Sequence, residues 1–340
     1  MKNCWLPYYH IEIIPQLKLR PCCRYGTDWL TSINDFYSKD RTEFEGKNLS
    51  KNCETCNLSN SYKDVKIKHF KSVGLQEPTK PDLISLTIFL DNVCSNSCLM
   101  CNKDASTTVG YLLNNQVKKS FDLDSIDNQL KTLKYISILG GEPLQSPNLR
   151  KFCQKLNKSN LKQVNILTSC AKPTQGNIEA LEALETKINF RISIDGPQDL
   201  NQWIRGYKYK DWIETFEKLQ RIGTINWQVT LGSYNVYALP ECFNYLETLL
   251  PNKNILPSIV YYPDECHIKQ LPPEYKIKIK NKLLKYSAKF NQIDITKTAL
   301  ELLNLESTLD WTICKEYINR LPKLRGESLT IDYFLDNFNA

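Results

Sequence analysis

Apolar positions follow two alternating periods along most of this chain. From residue 83 onward, short apolar runs of strand length give way to segments whose apolar residues recur every three or four positions. Residues 83–90 read as a strand, residues 125–133 as a helix through Ile126, Leu130 and Leu133, and residues 135–139 as the next strand. Leu149, Phe152, Cys153 and Leu156 share a helix face ahead of a strand at 164–168, and Ile178, Leu181 and Leu184 do the same ahead of 189–194. Trp212, Phe216 and Leu219 precede a strand at 227–231; Leu239, Phe243, Leu246 and Leu250 precede one at 256–262. Pro257 must lie near the start of that last strand or on a sheet edge, because it donates no ladder hydrogen bond.

This pattern amounts to six strand–helix repeats without a clear final helix, each the length of a parallel right-handed crossover. The predicted fold class is α/β: an incomplete (β/α)6 TIM-like barrel, open on one side. In such barrels the site is built from loops that follow the strands' C-terminal ends. Those loops are 94–101, 140–143, 168–170, 193–196 and 232–235. The Pro-bearing stretch 76–81 marks a linker. The expected domains are therefore a small cysteine-rich N-terminal domain at 1–75, the barrel at 80–265 and a helical C-terminal extension at 266–340. Within the extension, residues 273–297 read as one Lys-rich amphipathic helix.

Composition narrows the class. A net charge of +7, from 44 basic and 37 acidic residues, is spread along the chain, with local clusters at Lys118-Lys119, 276–282 and 323–325. Such a mild excess reads as solvated helix faces rather than a nucleic-acid footprint. The start, Met1-Lys2-Asn3-Cys4-Trp5, lacks a signal-peptide pattern, and no apolar stretch approaches the length of a membrane span. Thirteen cysteines without an export signal point to thiols kept reduced for metal, and so to a cytoplasmic protein.

The chemistry concentrates in Cys94-Ser-Asn-Ser-Cys98-Leu-Met-Cys101, which follows the first strand of the repeat. Three thiolates so spaced hold three irons of a four-iron cluster and leave the fourth open to substrate. On softness alone, zinc competes with the cluster. A second strand then ends in Gly140-Gly141-Glu142-Pro143. Together the two motifs resemble the radical S-adenosylmethionine (SAM) enzymes. The resemblance implies a [4Fe-4S] cluster on Cys94, Cys98 and Cys101, with SAM chelating the open iron. It also implies that Gly140, Gly141 and Glu142 receive the SAM ammonium, where glycine lets the backbone approach without a Cβ. Ser193 and Asp195 stand where relatives contact the SAM ribose, though Asp195 before Gly196 also reads as a turn carboxylate. Arg205 and Asn235 resemble further cofactor contacts, against a plain reading of Arg205 as surface charge. Relatives often carry Thr-Asn-Gly where this chain has Thr168-Ser169-Cys170.

A second cysteine set, Cys4, Cys22-Cys23 and Cys53-Glu-Thr-Cys56, reads as a structural zinc site, an iron–sulfur site or uncommitted thiols. Its order resembles the auxiliary-cluster Twitch half of SPASM-type maturases, placed here at the N-terminus, with Leu17 where that pattern usually has glycine. The resemblance extends to Tyr262-Pro263, Gln270-Leu-Pro-Pro273 and Leu324-Arg-Gly-Glu-Ser-Leu329. It implies a second, auxiliary cluster on Cys4, Cys22, Cys53 and Cys56, with Cys23 competing for Cys22. Cys153, Cys242 and Cys314 lie on apolar helix faces and read as core, whereas Cys170 and Cys266 follow strands. His10, His69 and His267 show no ligand spacing, and Tyr261 and Tyr262 read as wall.

The resemblance implies an enzyme that draws one electron from a flavodoxin or ferredoxin and cleaves SAM to methionine and a 5′-deoxyadenosyl radical. That radical abstracts hydrogen from a peptide or protein. The alternatives are oxidation of a small metabolite, or a noncatalytic iron–sulfur or zinc protein on the same frame.

Overall fold

The computed structural model describes residues 4–14, 18–22, 25, 30, 32–44, 67–68, 70–115, 123–157, 159–251, 253, 255–287 and 293–338. The strands are β1 (His10–Ile14), β2 (Lys18–Arg20), β3 (Ser85–Phe89), β4 (Tyr135–Leu139), β5 (Gln163–Thr168), β6 (Lys187–Ser193), β7 (Thr224–Leu231) and β8 (Ile255–Ile259). Their order is β2-β1-β3-β4-β5-β6-β7-β8. Every described pairing is parallel except that of β1 with β2, so the chain is the α/β protein its alternating periods predict. The chain divides into two compact units.

The first unit comprises Met1–Asn92, Lys119–Ile166 and Gly176–Ile188. Its ladder pairs Ile11 with Leu86, Ile88 with Ile138, and Ile138 with Ile166. Those five side chains are fully buried, whereas Ser85, Thr87, Ser137 and Asn165 between them are half-buried, the period of two expected of a pleated strand. Short helices α1 (Leu6–Tyr9), α2 (Thr107–Leu112) and α3 (Asp127–Leu130) come before α4 (Leu149–Leu156), α2 lying in the second unit. The helix expected over 125–133 is shorter than its apolar spacing suggests: one 3₁₀ turn, Leu123–Ile126, then the four-residue α3. On α4, Leu149, Phe152, Cys153 and Leu156 are buried, so Cys153 is core as its face predicts.

Two strands, β1 and β2, were not expected. The segment 1–75 reads as a separate cysteine-rich domain, yet β1 lies parallel to β3 and extends the ladder by a strand. Ile11 and Ile13 supply the buried face, His10 Nδ1 lies 3.0 Å from Ser85 Oγ, and Arg20 Nε on β2 pairs with Glu12 on β1 at 2.9 Å. His-Ile-Glu-Ile-Ile is a sound strand sequence, but with no helix repeat beside it, it carried no sign of its partner.

The second unit comprises Val93–Lys118, Leu167–Gln175 and Asn189–Ala340. After α5 (Gln175–Glu182) come α6 (Gln198–Arg205), α7 (Tyr209–Ile222), α8 (Leu239–Leu249), α9 (Pro273–Ser287), α10 (Ile293–Leu302), α11 (Trp311–Leu324) and α12 (Ile331–Phe338). The single helix expected over 273–297 is two, α9 and α10. Pro257 sits inside β8, the last strand in the order, in keeping with the edge position its missing N–H requires. Behind β7 the core is an aromatic stack. Tyr207 lies over Trp212 at 6.5 Å, Trp212 over Phe216 at 5.4 Å, and Phe216 over Trp227 at 5.4 Å. Among the described residues, no helix is long and apolar enough to cross a membrane.

Phe216 joins two of these stacked contacts and is almost fully buried. Phe216→Ala should therefore cost about 3–5 kcal/mol, the usual loss for a buried aromatic. Chemical denaturation measures this, and a loss below about 1 kcal/mol would show that the stack is not part of the cooperative core.

Candidate active site

Within the first unit, β4 runs into Gly140-Gly141-Glu142-Pro143. Gly140 has φ +150°, and a Cβ there would lie 2.6 Å from the Asp91 carbonyl oxygen, so only glycine fits. The Gly141 N–H donates to that same oxygen at 2.8 Å. The Asp91 carboxylate accepts from Ser146 Oγ and from Asn148 Nδ2, and Asn177 Nδ2 donates to the Leu144 and Ser146 carbonyls at 2.9 Å each. Glu142 is buried, and its Oε1 accepts the Leu144 N–H at 3.1 Å, capping the 3₁₀ turn Pro143–Gln145. The turn after β4 is thus rigid, and one carboxylate oxygen of Glu142 is used in building it.

Within the second unit, the cysteine loop is held at both ends. Thr108 Oγ1 donates to the Cys94 carbonyl at 2.7 Å, Ser106 Oγ donates to the Asn96 carbonyl at 2.8 Å, and Ser106 also caps α2. The Ser97 and Leu99 N–H groups donate to the Arg205 and Ile204 carbonyls at 3.1 and 2.9 Å, so the loop pairs with the last turn of α6. Asn102 Oδ1 accepts from the Asp104 and Ala105 N–H groups, turning the chain out of the loop. Asn96 Nδ2 donates to Ser169 Oγ at 2.7 Å.

Around this loop the structure gathers Cys98, Arg205, Asp195 and Asn235. Arg205 Nη2 pairs with Asp195 Oδ2 at 2.6 Å, and Nη1 lies 3.9 Å from Cys98 Sγ. Burial, the largest influence, opposes the Arg205 charge, but the Asp195 carboxylate and the other acidic groups around it together hold the guanidinium protonated. Asp195 Oδ1 also accepts the Thr230 N–H at 2.8 Å. Asn235 spends its amide internally: Nδ2 donates to the Asp195 and Thr230 carbonyls and Oδ1 accepts the Gly232 N–H, each at 2.9 Å. Ser193, at the end of β6, is nearly buried. Asp195 is therefore neither a simple turn cap nor a solvent-facing group, and Arg205 is far from the surface charge its sequence context allows.

Cys170 is fully buried with φ +56°, in the left-handed region where relatives often have glycine. It lines a cleft of about 220 Å³ with Asn96, Lys172, Tyr207 and Lys208. Cys242 and Cys314 are buried as expected, and Cys266 is fully buried too. Cys4 is half-buried and Cys22 buried in the first unit, whereas Cys23, Cys53 and Cys56 lie outside the described residues.

The donor set suits an iron–sulfur cluster. Cys98 and Cys101 are free thiols. Burial raises both, and with Cys98 nearby Cys101 is pushed up to about 12; metal binding would displace those protons. No three His, Cys, Asp or Glu side chains among the described residues converge on one ion, whereas a four-iron cluster takes one thiolate per iron. Arg205 Nε, Asn96 Oδ1 and the Tyr234 hydroxyl are buried without a partner, polar groups that a bound cofactor can satisfy.

Residues 88–242 match the family model of the Radical SAM superfamily. This chain carries a radical SAM domain. The superfamily uses a [4Fe-4S] cluster and SAM, so the domain is an enzyme core. No curated protein matches the chain. Among solved structures, native anSMEcpe with bound AdoMet is similar at 16% identity, TM-score 0.46, over 60% of this chain and 61% of that one. SuiB of Streptococcus suis bound to precursor peptide SuiA is similar at 11% identity, TM-score 0.44, over 72% of this chain and 61% of that one. TsrM of Kitasatospora setae, a radical SAM methyltransferase, is similar at 14% identity, TM-score 0.36, over 55% and 39%. The chain thus spans about three-fifths of the length of the first of these.

Sequence reading missed the groups that hold the radical SAM domain's cysteine loop. Asn102 carried a turn signal, but Ser97, Ser106 and Thr108 carried none, since their partners are set by folding. Replacing Asp195 with Ala leaves a buried guanidinium uncompensated beside Cys98, and should cost about 3–5 kcal/mol in chemical denaturation. Asp195→Asn should cost less, and equal losses for the two would show that the pair is not ionised.

Proposed function

We propose that this chain is a radical SAM enzyme in which Cys94, Cys98 and Cys101 hold the [4Fe-4S] cluster. The carrying observation is the loop itself: three cysteines on backbone tied to the Arg205 and Ile204 carbonyls, with Arg205 Nη1 3.9 Å from Cys98 Sγ. When bound and reduced by a flavodoxin- or ferredoxin-type donor, the cluster supplies reductive cleavage of SAM. The chain's own residues do the positioning. The Gly140-Gly141-Glu142 turn, made rigid where Gly140 packs against the Asp91 carbonyl and the Gly141 N–H bonds to it, receives the SAM ammonium. Ser193 and the Asp195–Arg205 pair stand as polar contacts to the rest of SAM, and Asn235 acts on that site by holding Asp195.

The substrate class in this reading is a peptide or protein, and an auxiliary cluster on Cys4, Cys22, Cys53 and Cys56 assists. Both follow from the resemblance of the N-terminal cysteine order to SPASM and Twitch maturases. A cluster of this kind suits a reducing cytoplasm.

Anaerobic reconstitution with iron counting and a dithionite-driven SAM cleavage assay tests the proposal. The wild type should take up about eight irons, and the Cys94/Cys98/Cys101→Ala triple variant about four. Only the wild type should release 5′-deoxyadenosine. About four irons with cleavage intact would remove the auxiliary cluster. A cluster-replete, folded wild type that leaves SAM whole would overturn the enzyme reading.

A further inference from the structure

Arg325 caps the C-terminal end of α11, and its side chain is only 10% exposed. Its Nη1 donates to the Ser97 carbonyl at 2.8 Å and lies 3.3 Å from Ser97 Oγ, while Nη2 donates to the Trp203 carbonyl at 2.5 Å. Nε and Nη2 also meet the two oxygens of Glu327 at 2.8 Å each. One guanidinium thus joins the peptide unit that leads into Cys98 to the last turn of α6, the same pair of segments already laced by the Ser97 and Leu99 N–H groups. Gly206 makes room for it. At φ +65°, a Cβ on Gly206 would collide with Ser97 Oγ and lie 2.7 Å from Arg325 Nη1. Trp203 reinforces the join, donating Nε1 to the Leu329 carbonyl at 3.1 Å and packing on Phe334 at 4.7 Å.

We propose that Arg325, held by Glu327, is a latch: a positioning residue that fixes the cysteine loop so that Cys98 is presented to the cluster. The proposal rests on Cys94, Cys98 and Cys101 being the cluster ligands. Fork geometry matters here, because the planar guanidinium reaches two carbonyls and a carboxylate at once, which a lysine ammonium does not. Glu327 supplies the opposite charge, so the buried cation is compensated. The latch makes the C-terminal segment part of the cluster site, although Arg325 lies 228 residues from Ser97.

The test compares full-length wild type, R325K, R325A and E327Q by two measurements. The first is amide hydrogen exchange in the metal-free protein, which does not require a cluster. In R325A and R325K the Ser97 and Leu99 amides should exchange at least about 10-fold faster, with β3 and β4 amides unchanged. The second is iron loss to a chelator after anaerobic reconstitution, followed with the EPR spectrum of the reduced cluster. R325A should lose iron at least about 10-fold faster with an altered signal, and millimolar guanidinium ion should slow that loss, a rescue that a general loss of stability would not show. Wild-type exchange at Ser97 and Leu99 in folded R325A or R325K would overturn the latch. If R325A does not fold, E327Q decides by the same exchange measurement, faster Ser97 and Leu99 exchange supporting the latch and wild-type exchange overturning it. A wild type that takes up no iron would remove the cluster reading, while the exchange result would still judge the loop contact.

Discussion

The buried ion pair between Asp195 and Arg205 is the joint on which the second unit's site depends. Asp195 follows β6 and is tied on three sides: one carboxylate oxygen takes the Thr230 N–H, the other is ion-paired with Arg205, and its carbonyl takes the Asn235 amide. Arg205 in turn offers its carbonyl to the Ser97 N–H and its Nη1 to Cys98 Sγ. The ends of β6 and β7, the last turn of α6 and the cysteine loop are therefore one hydrogen-bonded body. A buried charge pair is a costly way to gain stability, since desolvation offsets much of the attraction. Its worth here is directional: two ionic groups with few alternative partners specify where the loop must sit.

The same economy shows in the backbone. Gly140 and Gly206 occupy left-handed conformations where a Cβ would strike, respectively, the Asp91 carbonyl and the Ser97–Arg325 junction. Each glycine allows a close approach that then carries hydrogen bonds. Cys170 takes a similar conformation without that freedom, and the strain it bears is of the kind found at functional sites. Burial meanwhile keeps the Cys98 and Cys101 thiols protonated in the metal-free protein. A metal bound by these thiols would have to displace their protons.

The N-terminal segment is part of the sheet. Its cysteine order resembles an auxiliary-cluster half-domain, yet β1 also completes the parallel ladder beside β3, with Ile11 and Ile13 in the core. A residue run that belongs to a sheet cannot move without exposing that apolar surface. Cys4, six residues before β1, is thus tethered to the sheet through a short stretch that includes α1.

The sequence by itself determined the α/β class, the approximate place of β3 to β8 and the two motifs at the ends of β3 and β4, because these follow from local periodicity and fixed spacing. Residues 135–139 and the buried face of α4 were readable from a handful of apolar positions. Local spacing does not encode partners. The pairing of β1 with β3, the division of residues 273–297 into two helices and the closing of Asp195 on Arg205 depend on contacts made only after folding. So does the reach of Arg325 to Ser97 across 228 residues. Tertiary structure decided these because a hydrogen bond or ion pair is specified by where two groups meet, and no period along the chain records that meeting.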